Sequence, residues 1–225
     1  MDGVSEQRRR GRRRRDMPDG RLALIEAATF AFAERGYEAA DLRSIARAAD
    51  VDAGLVRIHF GGKAGLWQAC MDSIIARRAP LIAEIERITS DASATVSERL
   101  TALIQHYVGF AFAHPEVRQF VVRHASENSE RAILLTEQLV RPSYKASLPL
   151  IEVGIDVGII RVRHPAAFFA LLNNAVNQPR AAPILLHQLS PDIHPDSAQE
   201  LLTASILEAF LHLPALSQAE TKVTG

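Results

Sequence analysis

The sequence predicts an all-α protein, with a small N-terminal three-helix unit followed by a larger helical region. Three observations carry that expectation. Apolar residues recur at steps of three and four along most of the chain, which is the period of a helix with one buried face. No alternating apolar–polar run persists, so the strand period is missing. The 12 glycines and 11 prolines among 225 residues are sparse and gather at breaks between apolar stripes, where glycine ends helices and proline begins them.

The first helix is expected over residues 21–35, with Leu22, Ile25, Ala28 and Phe32 on one face. Gly36 stops it, because glycine accepts the left-handed conformation that follows a helix end, and Tyr37 packs back. Asp41 caps a second helix whose stripe is Leu42, Ile45, Ala46 and Ala49. Asp50 tolerates the left-handed turn that ends it, and Val51 anchors that turn. Asp52 caps a third helix over 53–60, a rod only about 12 Å long. Val56 and Phe60, four apart, face the other two helices. Ala53, Arg57 and His59 then project outward, with Leu55 and Ile58 between the two faces. A rod that short and polar on one side fits a DNA major groove. Lys63 adds a formal charge to the first turn of a fourth helix, a place that already favours phosphate.

These pieces in this order carry a resemblance. FAERGYE (Phe32 to Glu38), LRSIARAADV (Leu42 to Val51) and the spacing from Gly54 to Lys63 resemble the DNA-binding domain of the TetR family of bacterial transcriptional regulators over residues 20–75. The chain departs from the family pattern at Ala40, Asp50, Arg57 and Gly62, which stand where Thr, Gly, Tyr and Ser or Thr are usual. Arg57 thereby replaces an aromatic phosphate-contacting residue with a guanidinium, which reaches either a phosphate or the O6/N7 edge of guanine. The resemblance implies that Arg43, Asp52, Ala53, Leu55, Arg57, His59 and Lys63 face double-stranded DNA, with Arg43 and Arg57 at base edges and His59 and Lys63 on phosphates.

Ahead of the first helix lies QRRRGRRRR, seven arginines between Arg8 and Arg15 with no apolar periodicity. Such an arm is expected to be disordered in isolation. Beside a helix-turn-helix, Arg12, Arg13, Arg14 and Arg15 are expected to reach a minor groove or the DNA backbone. Net charge is zero, yet there are 13 Lys and Arg against 10 Asp and Glu up to Met71, so the positive end is the expected DNA end. The expected organisation is an arm over 1–19, the helix-turn-helix over 20–66, a linking helix over 63–78, and an effector-binding and dimerisation region over 79–225.

The linking helix shows a wide stripe of Leu66, Trp67, Cys70, Met71, Ile74 and Ile75. Further helices are expected over 80–88, 95–113, 115–126, 130–157, 165–177 and 195–213. Pro115, Pro165 and Pro195 suit first helical positions, while Pro142 and Pro149 should kink or split the long fifth segment. The resemblance implies a homodimer formed by the last two long helices. Their extra apolar residues, Phe168, Phe169, Leu172 and Val176 in one and Leu202, Ile206 and Phe210 in the other, would then face a partner. It also implies a pocket for an unidentified small-molecule effector. Polar or aromatic candidates on otherwise apolar helices are His106, Phe110, Phe120, His124, Asn173, Asn174 and Asn177.

Enzyme signatures are missing. The eight histidines have no zinc-binding spacing, and no nucleophile elbow, P-loop or dinucleotide fingerprint occurs. A single cysteine, Cys70, excludes an internal disulfide. No metal or cofactor is expected. No apolar run reaches the roughly 18 residues of a membrane span and no signal peptide is recognisable, which points to the cytoplasm and away from membranes. The expected function is that of a dimeric regulator, a repressor on a palindromic operator that a small effector releases. The alternatives are a regulator governed by a protein partner or by none, and an enzyme or helical module that has kept the DNA-binding domain.

Overall fold

The computed structural model describes residues 20–125, 130–177 and 182–213, and contains no strand among them. The arginine arm with Arg12 to Arg15 lies outside the described residues. Helix α1 (Gly20–Ala39) turns a corner at Gly36, where φ is 76°. Helices α2 (Leu42–Ala48) and α3 (Gly54–Phe60) follow as the sequence predicts. Along α1 the buried stripe is Leu24, Ile25, Ala28 and Phe32, whereas Leu22 is exposed. At about 100° per residue, two successive steps of three place Leu22 roughly 120° around the axis from Ala28, off the buried face.

Helix α4 (Lys63–Ser90) is one uninterrupted element with Pro80 inside it, where the sequence predicts a break after residue 78. Proline costs a mid-helix roughly 3 kcal/mol through its lost bond and its clash with the carbonyl four back. Continuous packing offsets that cost, because Leu66, Met71, Ile74, Leu81, Ile85 and Ile88 are all buried along its length.

Helix α5 (Val96–Ala113) begins with a capping box in which Thr95 and Glu98 satisfy one another's backbone N–H groups. Helix α6 (Pro115–Ala125) follows directly. The segment after it is split, as its prolines predict, into α7 (Glu130–Leu135), a π-helical turn over Thr136–Val140, and α8 (Arg141–Asp156). The Arg141 N–H reaches back five residues to the Thr136 carbonyl, a widening that relieves the clash Pro142 would otherwise make with the carbonyl of Gln138. Helix α9 (Pro165–Val176), helix α10 (Ala182–Leu189) and, after a 3₁₀ turn over Pro195–Ser197, helix α11 (Ala198–Phe210) complete the fold. The sequence reading missed α10, in which none of the described side chains is fully buried.

Two cores result. One joins α1, α2, α3 and the first half of α4 to Val117, Phe120 and Val121 of α6 and to Leu135 of α7. The other joins the second half of α4 to α5, α8, α9 and α11. The N-terminal helices therefore do not close their own core. Helix α6 packs along α1 as part of it, and α4 runs through both cores.

Candidate nucleic-acid interface and internal cavity

The short α3 is held in place by its turns. Asp41 Oδ2 accepts hydrogen bonds from the Ser44 N–H at 2.9 Å and the Ser44 hydroxyl at 2.8 Å, which fixes the start of α2 and holds the Asp41 carboxyl below its ordinary range. Asp50 has φ of 53°, the left-handed turn expected of it. Asp52 Oδ1 accepts from the Gly54 N–H at 2.7 Å, so its carboxylate braces the turn into α3. Gly61, at φ 73°, ends α3. On that frame Val56 is buried, Phe60 half-buried, and Ala53, Arg57 and His59 are exposed together with Arg43 of α2.

Three positions gain definition from the structure. Leu55 is half-buried and packs against the N-terminal core, because its side chain leans toward the start of α1 near Gly20. Ile58, left undecided by the helix pattern, is 76% exposed beside Arg57. Lys63 does not project freely, since its ammonium donates to the Glu38 carbonyl at 2.8 Å and lies 5.0 Å from the Tyr37 ring centroid. An ammonium has three donors, so this contact leaves two for a phosphate.

A cavity lies where α4, α5, α6 and α9 meet, lined by Arg78, Tyr107, Phe110, Arg118, Phe169, Leu172, Asn173, Val176 and Asn177 among others. It brings together three of the seven sequence candidates, Phe110, Asn173 and Asn177. Its free space is about 20 Å³, on the order of a single water. An open groove of about 380 Å³ between α8 and α9 adjoins it, sharing Phe169 and Asn173 and including Asn174.

The other candidates are elsewhere. His106 is exposed, with Nδ1 2.9 Å from the Ala102 carbonyl and Nε2 3.6 Å from Glu84. Phe120 and His124 are buried in the N-terminal core, their rings 5.9 and 5.8 Å from Trp67. An aromatic or His on an apolar stripe has gone to packing there.

Sequence reading missed Arg78, Tyr107 and Arg118, although the signal for one was present. Met71, Ile74, Leu81, Ile85 and Ile88 form an apolar stripe, and Arg78 occupies the step between Ile74 and Leu81. Its Nη2 donates to Ser143 Oγ at 2.6 Å, and its guanidinium lies 5.5 Å from the Phe110 ring centroid. Burial lowers the Arg78 pKa from its ordinary value and raises that of Tyr107, whose hydroxyl lies 2.9 Å from Ser147 Oγ.

The proposed dimer residues also need correction. Phe168, Phe169, Leu172, Val176 and Ile206 are buried within one chain, and Leu202 and Phe210 are half-buried, with Phe210 edge-on to Phe168 at 5.8 Å. The aromatic sides of α9 and α11 are spent on this chain's own core. Their outer faces are smaller, with Ala167, Ala170 and Leu171 on α9 and Leu201 and Ala204 on α11.

A sequence profile described as bacterial regulatory proteins, tetR family, matches residues 24–70, the stretch that builds α1 to α3 and enters α4. The HTH-type transcriptional repressor Rv3405c of Mycobacterium tuberculosis is 34% identical over 139 residues, covering 60% of this chain and 68% of that one. The chain belongs to the TetR family. Among solved structures, AibR in complex with isovaleryl coenzyme A and operator DNA has a TM-score of 0.64 at 18% identity, covering 85% of this chain and 98% of that one. FadR from Bacillus subtilis in complex with stearoyl-CoA has a TM-score of 0.59 at 17% identity, covering 83% and 95%. At those identities the likeness is one of fold. It extends the family architecture past the helix-turn-helix, through the cavity-bearing helices of this TetR-family chain. No helix among the described residues is long and apolar enough to cross a membrane, and none of their acidic, His and Cys side chains cluster as a metal site.

Proposed function

We propose that this TetR-family protein is a homodimeric, sequence-specific DNA-binding repressor that a small molecule releases from its operator. One observation carries the reading: the helix that presents Arg57, Ile58 and His59 to solvent is fixed to α4, and α4 also forms a wall of the internal cavity. From Lys63 to Arg78 is about 22 Å along a helix rising 1.5 Å per residue. A ligand larger than a water must spread the cavity walls. Doing so displaces α4, which enters the N-terminal core, and α6, which packs on α1. Two recognition helices spaced to fit successive major grooves would then no longer seat together.

Two-fold pairing would use the outer faces of α9 and α11, where alanines let backbones approach closely, with Leu171 and Leu201 at the contact. That effectors bind in this fold is supported by the acyl-CoA complexes of its structural neighbours. Selection of binding sites from a randomised duplex pool with the full chain tests the reading. A two-fold symmetric consensus is expected, protected by two chains. Recovery of no consensus would leave an enzyme or helical module that has kept the domain. A consensus whose occupancy no small molecule changes would leave a regulator governed by another protein.

A further inference from the structure

The cavity carries a charge that packing does not require. Arg78 stands in the apolar stripe of α4 with its guanidinium turned between α5 and α8, against the Ser143 hydroxyl and the Phe110 ring. A guanidinium offers five N–H donors, and Ser143 takes one of them. Among the described residues no carboxylate pairs with Arg78, in contrast to Arg77, its neighbour on the outer surface, which meets Glu116 at 2.5 Å. An arginine half-buried without a counterion carries a desolvation cost that an apolar side chain in its place would not. Arg118, 8% exposed, lines the same cavity, and the Asn173 and Asn177 amides add polar groups at one end. The rest of the wall is hydrocarbon and aromatic, with Phe110, Phe169 and Leu172 foremost.

We propose that this cavity takes a small apolar carboxylic acid as its free carboxylate, paired to the Arg78 guanidinium, with its hydrocarbon part against Phe110, Phe169 and Leu172. The proposal rests on the effector reading above and names the chemical class of that effector. A carboxylate matches the planar fork of arginine with two parallel hydrogen bonds. An amide or alcohol of the same acid brings no charge and leaves the guanidinium as it was, and the acyl carbonyl of a coenzyme A thioester is neutral too, its charges lying on the distant nucleotide phosphates. Either ligand must spread walls that now leave room for about one water, and a coenzyme A thioester, with its nucleotide, must spread them much further than a small free acid. The open groove beside α8 shares Phe169 and Asn173 with the cavity and provides the way in. Ser143, which holds Arg78, lies in the first turn of α8, three residues past the end of the π-helical turn at Val140, so the anchoring side of the cavity is next to the irregular point of that segment.

The test titrates the full chain with benzoate, phenylacetate and octanoate, beside phenylacetamide, octanamide, octanoyl coenzyme A and phenyl phosphate, following thermal unfolding and calorimetric heat. At least one acid is expected to raise the melting temperature saturably and to bind roughly 10- to 100-fold more tightly than its amide, the value of one charge-assisted pair. In R78M, which keeps the length and loses the charge, the acid's advantage over the amide should vanish while the unliganded protein melts no earlier than wild type. R78K should retain part of that advantage.

Equal binding of acid and amide, tighter binding of the thioester or phosphate ester, stabilisation by none of the probes, or undiminished acid preference in R78M would each overturn the proposal. Should R78M fail to fold, R78K decides, because loss of acid preference in a folded, charged variant contradicts a carboxylate pair and its retention supports one. Release of a duplex selected by the protein itself, read in the same titration, separates this proposal from the regulatory one. Acid binding without release defeats only the regulatory reading, whereas release by amide or thioester but not by acid defeats only the carboxylate.

Discussion

The guanidinium carbon of Arg131 lies 3.8 Å from the centroid of the Tyr37 ring, and one of its nitrogens is 3.0 Å from Glu38 Oε1. This contact joins α7 to the corner between α1 and α2, which leads into the helix-turn-helix. Lys63 approaches the same ring at 5.0 Å, so Tyr37 is shared between two cations. The Glu38 side chain is 84% exposed, and its ion pair adds little to stability. The stacked guanidinium is the stronger element, worth about 0.5–2 kcal/mol. R131A should therefore lower the melting temperature by a few degrees and leave the selected DNA consensus unchanged. If the α7 contact transmits the ligand signal, the variant should also need more effector to release the same duplex. Unfolding and release curves measured together check both, and unchanged release with a lowered melting temperature would make Arg131 a purely structural contact.

Gly36 closes that corner from the other side. Its φ of 76° is left-handed, and a Cβ there would come within 2.9 Å of Arg123 Nε. The Arg123 Nη2 in turn donates to the Arg35 carbonyl at 3.3 Å. At ψ 174° that φ lies in a region essentially reserved for glycine, so G36A carries a backbone cost of about 1–3 kcal/mol, to which displacement of Arg123 adds. Denaturant unfolding should show a lowered midpoint at unchanged slope. A midpoint equal to wild type would mean that the corner relaxes without strain.

Much of this was legible in the sequence, for reasons that particular residues make clear. Glycine at position 36, Asp41 before an apolar step of three, and Asp50 in a left-handed turn each satisfy a local backbone need, and local needs are written in local residue order. Tertiary placement is different. His124 and Phe120 looked like pocket residues because a His or Phe on an apolar helix is ambiguous, and only the approach of α6 to α1 and Trp67 decides where they go. Phe168 and Leu172 looked like a dimer seam because helices apolar on two faces need two neighbours. Here α5 and α8 supply a neighbour within the chain. Arg78 was readable as a charge inside the Ile74–Leu81 stripe, but what it faces depends on three other helices.

Arg57 is exposed on α3, one residue before the exposed Ile58. If the guanidinium reads guanine O6 and N7, R57A should lose about 1–3 kcal/mol at one base position and accept all four bases there. Loss spread evenly over every duplex would place Arg57 on a phosphate instead. Parallel selections with the two proteins distinguish these results position by position.

The seven arginines between Arg8 and Arg15 should act through phosphates rather than base edges. Removing residues 1–15 should weaken binding at low salt and flatten the log–log dependence of affinity on salt, by about 0.9 for each phosphate that the arm neutralises. The selected consensus should keep its core. An unchanged slope would take the arm off the DNA.

Cys70 reports on the N-terminal core as a whole. It is fully buried between α4 and α1, its thiol donates toward the Ile25 carbonyl at 3.5 Å, and burial pushes its pKa from 9.0 to about 12. The folded state thus holds the proton that the unfolded chain releases near pH 9. The resulting stability is fully present below that pH and is lost as pH rises through the range from 9 toward 12. A thiol is also reactive only as thiolate and only when reached. At pH 8 the native protein should resist a disulfide reagent for as long as the core stays closed, and react at once in denaturant. Because α4 passes from this core to the internal cavity, a ligand that loosens the N-terminal core on binding there, as proposed, should raise the labelling rate. Rapid labelling of the unliganded protein at pH 8 would contradict the burial of Cys70.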